Sequence, residues 1–440
     1  MTAVAEQPAS AAGSPLRHVT TRQAAFIGVG AMVGAGIFSL LGAAGAVAGA
    51  AVWVSFAVAG IIAALQGYSF GKLGARYPSA GGLLEYVNRA YGEGHIATVT
   101  AWLTYAANAI VTAMVAVSFG SYASSSFANN DPTAAKIFAV VIVAAMTALN
   151  IAGSTFVARV QSLIVFIVVG ILAIFAVVTI ANMNPSLLSP SNYPGPRDIV
   201  SSVALTFFAF LGFGVVTFTA KDLREPSRQL PAAMMIAIGI AAAVYIGVSL
   251  GVFGTLTVDE VIAAGPTAIA VAAKPVLGDA GFWLMSITAL FATAGATNSG
   301  LYPASGLSEH LAGTGQFPAL MGRRIGTATT GLLIAAVAVV VMVLFLNLDA
   351  IASIGSAVAL LIFTLVTLGH LRIRADTGAN VGILLLAIAT AGITLITFVF
   401  TTLVNEPASM VTLAVILLIA LGLDLAWTRL RPADVVPTST

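Results

Sequence analysis

The sequence predicts an all-α polytopic membrane protein of twelve transmembrane helices, and three observations carry that reading. Hydrophobic residues make up 59% of the 440 and charged residues only 8%, whereas a soluble domain carries about 25% charged residues. Apolar stretches of roughly 20 residues, the length that spans a bilayer as a helix, recur along the chain. The Lys and Arg residues lie in the segments between these stretches or, for Lys136, at the very end of one, and almost all of them fall on alternate sides. Mean hydropathy is +1.03. The net charge of +2 says little about partners, because in such a chain the placement of charges matters more than their sum. There is no cysteine, which excludes disulfides, thiol chemistry and cysteine-ligated metals.

The chain opens on a polar, proline-containing segment, 1–22, with no apolar core to make it a cleavable leader, and it reads as a tail. Span 1 covers 23–48 and lies in a run with no Asp, Glu, Lys or Arg between Arg22 and Lys72. Span 2 follows at 51–71. Span 3, 96–127, is long enough to tilt or to extend beyond the bilayer. Asn129-Asn130-Asp131-Pro132 is a turn signal before span 4 at 135–152, and span 5 is 162–182. Four prolines between Pro185 and Pro196 mark a loop before span 6 at 199–220. Glu225-Pro226 precedes span 7 at 231–256, and spans 8, 9 and 10 are 281–307, 327–346 and 350–370. Spans 11 and 12, 380–404 and 409–428, are divided by Glu406-Pro407, and 429–440 reads as a second tail.

Orientation follows from Lys and Arg, which concentrate on the cytoplasmic side. With the N-terminus inside, twelve crossings place 15 of the 18 basic residues in the cytoplasm and leave Lys136, Arg197 and Lys274 outside. One span more or fewer early in the chain scrambles this split. Both termini are therefore expected in the cytoplasm, with the chain in the inner membrane.

Two spans are broken by glycine. Span 1 contains Gly28-Val-Gly30-Ala-Met-Val-Gly34-Ala-Gly36-Ile-Phe38, and span 6 contains Phe207-Phe208-Ala209-Phe210-Leu211-Gly212-Phe213-Gly214. Each glycine weakens a helix by roughly 1 kcal/mol relative to alanine. Gly30 with Gly34, and Gly45 with Gly49, fit close helix packing. Gly34 and Gly36 point to different sides of a helix, so one interface does not need both, and unwinding is the better account there. Spans 1 and 6 occupy corresponding positions if 23–182 and 199–370 are two five-helix halves, with 380–428 outside them. Interrupted segments at matching places point to a midplane binding site. An unwound helix offers backbone N–H groups, which favour a carboxylate, and carbonyls, which favour an ammonium. An α-amino acid carries both.

Other chemistries fit poorly. The Gly-x-Gly-x-x-x-Gly spacing is not a dinucleotide fingerprint, and there is no Walker motif. His18, His95, His310 and His370 form no ligand set, so no metal is expected. Arg323-Arg324 and Arg372-x-Arg374 suit orientation and anionic lipid better than nucleic acid. No nucleophile or acid–base constellation lies inside a span, so an enzyme is not expected.

Gly34-Ala35-Gly36-Ile37-Phe38 in span 1 is the first of four matching stretches. Tyr68, Leu73-Gly74-Ala75-Arg76-Tyr77-Pro78, Gly81-Gly82, Tyr86 and Ala90-Tyr91-Gly92 follow span 2. Asn150, Gly153 and Gln161 link spans 4 and 5. Phe207-Phe208-Ala209-Phe210-x-Gly212-Phe213 with Glu225-Pro226 and Pro231 follow in and after span 6. Over about 20–430 the chain thus resembles the amino acid–polyamine–organocation permeases. The resemblance implies a five-plus-five inverted-repeat core of the sodium/amino-acid symporter type, two further helices and alternating access. It places a substrate carboxylate on the N–H groups of Gly34, Ala35 and Gly36. It places the ammonium on the carbonyls of Val33, Phe208, Ala209 and Leu211, with Phe208 and Phe210 as candidate aromatic gates.

Three positions depart from the pattern. The span 5 lysine of several proton-coupled relatives corresponds here to about Val168, an acid near the span 2 loop is Lys72, and paired acids after span 6 are Lys221-Asp222. A sodium site would use the carbonyls of Gly30 and Val33 with Thr293, Thr297 and Ser299, although hydroxyls in membrane helices usually bond their own backbone. Asp424 is the clearest intramembrane acid but lies near the end of span 12 with a structural or interfacial role, while Glu85 and Glu309 read as cytoplasmic surface. The expectation is secondary active transport of a neutral amino acid, proton-coupled or by exchange, with no cofactor beyond H⁺ or, second, Na⁺. The alternatives are a polyamine or other amine permease, a sodium-coupled carrier and an uncoupled facilitator. Oligomeric state is left open.

Overall fold

The computed structural model describes residues 19–79, 82–92, 94–153, 155–402, 404 and 407–430, with side chains for all of these except 155–162, 407–408 and 426–430. The two tails short of Val19 and beyond Leu430, Gly81, Glu406 and the side chains of Arg159, Gln161 and Arg429 lie outside the described residues.

The fold is almost wholly helical. Among the described residues nine helical stretches are long and apolar enough to cross a membrane, with Thr330–Phe345 and Ser409–Leu425 as shorter apolar helices. The sequence segments and this count differ for visible reasons. Segment 23–48 is split at Gly36, and its second half runs on through a turn at Gly49, φ +54°, into the next helix. Within segment 327–346 the helix covers only Thr330–Phe345, short of full spanning length.

The first helix, α1 (Thr21–Ala35), begins at a capping box: Gln23 N–H bonds Thr20 Oγ1, and Thr20 N–H bonds Gln23 Oε1. Two orphan donors are satisfied this way. Thr21 and Arg22 are thus helical rather than part of a tail. Val19 N–H donates to Asp222 O at 2.9 Å, which ties the start of the described chain to the end of the span 6 segment. Helix α2 (Ile37–Ala48) follows the break, and α3 (Val52–Arg76) returns. A short amphipathic helix, α4 (Leu83–Tyr91), buries Leu84, Tyr86 and Val87 and pairs Arg89 with Glu85 at 2.8 Å. Its alternation of apolar and charged residues kept it out of the span pattern.

Helices α5 (His95–Phe127), α6 (Pro132–Ala152) and α7 (Thr155–Ala181) follow. Asp131 caps α6 with Pro132 at its first position, a start that suits proline's fixed φ. Helix α8 (Pro196–Phe208) stops early, and a 3₁₀ segment continues over Leu211–Asp222. Then come α9 (Pro226–Phe253), α10 (Val258–Ala264) and α11 (Ala268–Gly313). The last is two helices joined at Gly278, whose φ of +66° is non-helical. A two-residue hairpin, β1 (Arg324–Ile325) against β2 (Ala328–Thr329), leads into α12 (Thr330–Phe345). Helices α13 (Leu348–Arg372), α14 (Arg374–Thr377), α15 (Val381–Thr401) and α16 (Pro407–Leu430) end the chain.

The core sits where α1, α2, α3, α8, α9 and α13 meet. Phe213 stacks on Phe363 there and Phe70 meets both edge-on, with centroids 4.9 to 5.7 Å apart. Burial of such rings removes a large apolar area from the alternatives. The outward faces of α7, α15 and α16 expose Phe166, Ile174, Ile393, Phe400 and Leu418. Those faces suit contact with lipid.

Candidate functional site

The two interrupted segments meet. Helix α1 ends at Ala35 and α2 begins at Ile37, so the first break is confined to Gly36. The second lies between Phe208, where α8 stops, and Leu211. A Cβ on Gly36 would overlap the Tyr245 hydroxyl oxygen and would lie 2.7 Å from Ala209 Cβ and 2.9 Å from Ala209 O. Only a residue without a side chain permits this approach. Gly212 works the same way from the other segment: its Cβ would lie 2.5 Å from the backbone of Ala31 and Met32.

Hydrogen bonds fix both breaks. Gly36 N–H donates to Met32 O at 2.7 Å, and Leu40 N–H donates to Gly36 O at 2.9 Å. Gly36 N–H, which the resemblance offers to a carboxylate, is therefore held by the helix here. The N–H groups of Ile37, Phe38 and Ser39 precede the first bond of α2, which makes them the orphan donors of that helix start. Gly34 and Ala35 lie inside the last turn of α1. In the second break Ala209 N–H bonds Thr206 O, Phe210 N–H bonds Phe207 O and Phe213 N–H bonds Phe210 O. These bonds pass over the carbonyl of Phe208. The carbonyl of Ala209 accepts from Tyr245 Oη at 3.0 Å.

Tyr245 is the residue that the sequence reading missed. It sits on α9, fully buried, with its ring against Phe56 and Phe210 at centroid distances of 5.3 and 5.0 Å. The one available signal was a lone hydroxyl-bearing aromatic in an apolar span, which in lipid needs a partner. Side-chain staples hold the surrounding helices: Ser118 Oγ donates to Phe38 O, Ser202 Oγ to Ala44 O and Thr206 Oγ1 to Ser55 O, at 3.0 to 3.2 Å.

Val33, Gly34, Ala35, Phe208, Ala209 and Phe210 are all buried. Phe208 lies over Gly355 of α13, and Phe210 packs on Tyr245. Leu211 is half-buried at the start of the 3₁₀ segment. No charged side chain lies in 25–71, 199–220 or 229–256, the segments that build this region.

The candidate ion site is less coherent. A cavity of about 10 Å³ lies between α1, α7 and α11, lined by Gly30, Val33, Gly34, Val168, Ala292 and Ala296 among others. Thr297 does not line it. Thr297 Oγ1 donates to Thr293 O at 2.8 Å, and Thr293 Oγ1 to Ala289 O at 2.6 Å. Val168 is buried in this apolar wall.

Other polar residues find partners elsewhere. Asp424 Oδ2 is 2.6 Å from His95 Nδ1, which joins α16 to the start of α5. Glu309 pairs with Arg324 at 2.8 Å. His370 is buried between Ser69 Oγ and Thr377 Oγ1, each at 2.8 Å. Asn150 donates to Asn298 Oδ1 at 2.8 Å.

Comparison with known proteins agrees with this architecture. A family model described as "Amino acid permease" matches residues 19–429. The inner membrane transport protein YbaT of Escherichia coli is 31% identical over 377 residues, 85% of this chain and 88% of that protein. The methylthioribose transporter of Bacillus subtilis is 25% identical over 79% of each chain. The mitochondrial cationic amino acid transporter 3 of Arabidopsis thaliana is 26% identical, over 79% of this chain and 61% of its own length.

Proposed function

The chain belongs to the amino acid permease family and is a multi-pass membrane transporter rather than an enzyme, and on that premise we propose that it carries a neutral α-amino acid by alternating access. The observation that supports this most is the meeting of Gly36 with Ala209, which brings a helix start and a helix end to one point inside the core. The carboxylate lies beside Gly34, Ala35 and Gly36, against the N–H groups of Ile37, Phe38 and Ser39 that are free of the helix ladder at the start of α2 in this conformation. A helix start favours an anion there. The ammonium lies against the carbonyls of Val33, Phe208, Ala209 and Leu211. Phe208 and Phe210 close the site from either side.

The substrate side chain is neutral because the segments around the breaks carry no acid or base. Names of relatives point to cationic amino acids and to methylthioribose. A cationic side chain or a polyamine needs a carboxylate to offset its desolvation, and the site region offers none, which sets those substrates second. Twelve crossings, the five-plus-five repeat, an inner-membrane location and cytoplasmic termini complete the reading, supported by the basic-residue split and by the paired breaks. Transport is proton-coupled or by exchange. Exchange has the better support, because the wall beside the first break, with Val168 in it, carries no ionisable side chain. Sodium coupling is set aside on the apolar wall around Gly30.

Counterflow in proteoliposomes tests the reading. Unlabelled neutral amino acid inside should accelerate entry of the labelled one from outside. A flux that neither saturates nor responds to the trans side overturns it and leaves a facilitator.

A further inference from the structure

A second cavity, of about 470 Å³, opens between α2, the end of α5, the start of α6, the 265–267 turn and the α12–α13 connection. That volume lies in the range of small-molecule sites. Its wall on α2 is Gly42, Ala43 and Ala46. Ser39 lies three and four residues before Gly42 and Ala43, so it shares their face. Its Oγ is buried with no hydrogen-bond partner. Helix rise puts Ala43 roughly 10 Å from Gly36, so the cavity is distinct from the two breaks. By the basic-residue split this is the external side.

Two opposite charges line the cavity, Lys136 of α6 and Asp349 of α13. They form no ion pair with each other among the described residues. Lys136 Nζ donates one bond, to Leu344 O at 2.8 Å, which leaves two N–H groups. No hydrogen bond or ion pair reaches the Asp349 carboxylate among the described residues. A cation and an anion that share a cavity without meeting are complementary to a molecule carrying both charges. Ser121 and Ser124 add hydroxyls to the wall.

We propose that this cavity is an outer holding site for a zwitterionic amino acid, with Lys136 taking the carboxylate and Asp349 the ammonium before the substrate passes Ser39 to the inner site. The proposal rests on the reading of the chain as an amino acid carrier. It gives the substrate a first stop where its two charges are recognised before desolvation.

The absence of native cysteine makes the test clean. Ser121→Cys places one thiol in the cavity wall, and its reaction with a membrane-impermeant thiol reagent is followed on right-side-out vesicles. Each of the twenty common L-amino acids is tried singly as a protectant, and uptake is measured beside it. Protection by the transported amino acid is expected to persist when Gly36→Ala disables the inner site. It should fall at least fivefold in apparent affinity in Lys136→Gln and in Asp349→Asn, variants of exposed residues that leave the labelling itself intact. Protection lost with Gly36→Ala but unchanged in both charge variants overturns the outer site. So does uptake without any protection, which leaves the carrier reading standing. Absence of both uptake and protection for every amino acid overturns the two readings together.

Discussion

Tyr245 donates its hydroxyl to the carbonyl of Ala209 across 3.0 Å, and the same oxygen occupies the space that a side chain on Gly36 would need. One buried residue of α9 therefore touches both helix breaks. Tyr245→Phe keeps the ring and its contacts with Phe56 and Phe210 but leaves a buried carbonyl short of a donor. That loss is about 1–3 kcal/mol. The variant should insert and fold, melt a few degrees lower, and lose about tenfold in uptake at subsaturating substrate. Wild-type uptake in this variant would show that the hydroxyl does not set the geometry of the breaks.

Gly36→Ala is the smallest change that closes the junction. Its Cβ meets both the Tyr245 oxygen and the Ala209 backbone, and the backbone cannot swing aside as a flexible side chain could. Overpacking of this kind costs about 1–3 kcal/mol. Uptake should fall by more than tenfold with near-normal membrane levels. Adding Tyr245→Phe should not restore it, because the contact with Ala209 remains. Rescue by the double variant would place the whole conflict at the hydroxyl.

Thr297→Val tests the ion site. The hydroxyl bonds Thr293 O within its own helix and does not face the cavity beside Gly30. Uptake should stay within about twofold of wild type, since a single local hydrogen bond contributes only about 1 kcal/mol. Replacing sodium with choline should leave the rate unchanged as well. A sodium-dependent rate, lost in Thr297→Val, would contradict the apolar reading of that wall.

Orientation can be read with single cysteines. Asn129→Cys lies in the turn before α6 and should react with an impermeant thiol reagent in intact cells. Arg323→Cys lies before the β hairpin, on the Lys- and Arg-rich side, and should react only after permeabilisation. The reverse pattern would invert the topology.

The break in span 1 was legible because four glycines in an apolar segment conflict with the demand that a helix in lipid keep its backbone bonded. Sequence spacing placed it at Gly34–Gly36, and the structure narrows it to the last of these, Gly36. The helix runs through Gly28, Gly30 and Gly34, which are packed against Val216, Val165 and Ala292 respectively, and breaks only at Gly36. Those three glycines serve close helix contact, a role that composition alone cannot separate from unwinding. The 3₁₀ course of 211–222 was hidden because its apolar residues read as an ordinary span. Helices α4 and α10 were missed because nine and seven residues are too short for a span pattern. Tyr245 was illegible for a different reason: its partner lies 36 residues away, and one tyrosine carries no periodicity. The His95 partner of Asp424 and the Ser69 partner of His370 are more distant still, set by packing between helices that local patterning does not report.

The central claim is that the site holds both charged groups of an α-amino acid on the backbone at two helix breaks. Competition against counterflow with matched analogues measures this directly. For the transported neutral amino acid, the analogue lacking the carboxylate and the analogue lacking the ammonium should each bind at least a hundredfold more weakly than the parent. An amine without a carboxylate that competes as well as the parent would contradict the account and return the protein to the amine permeases.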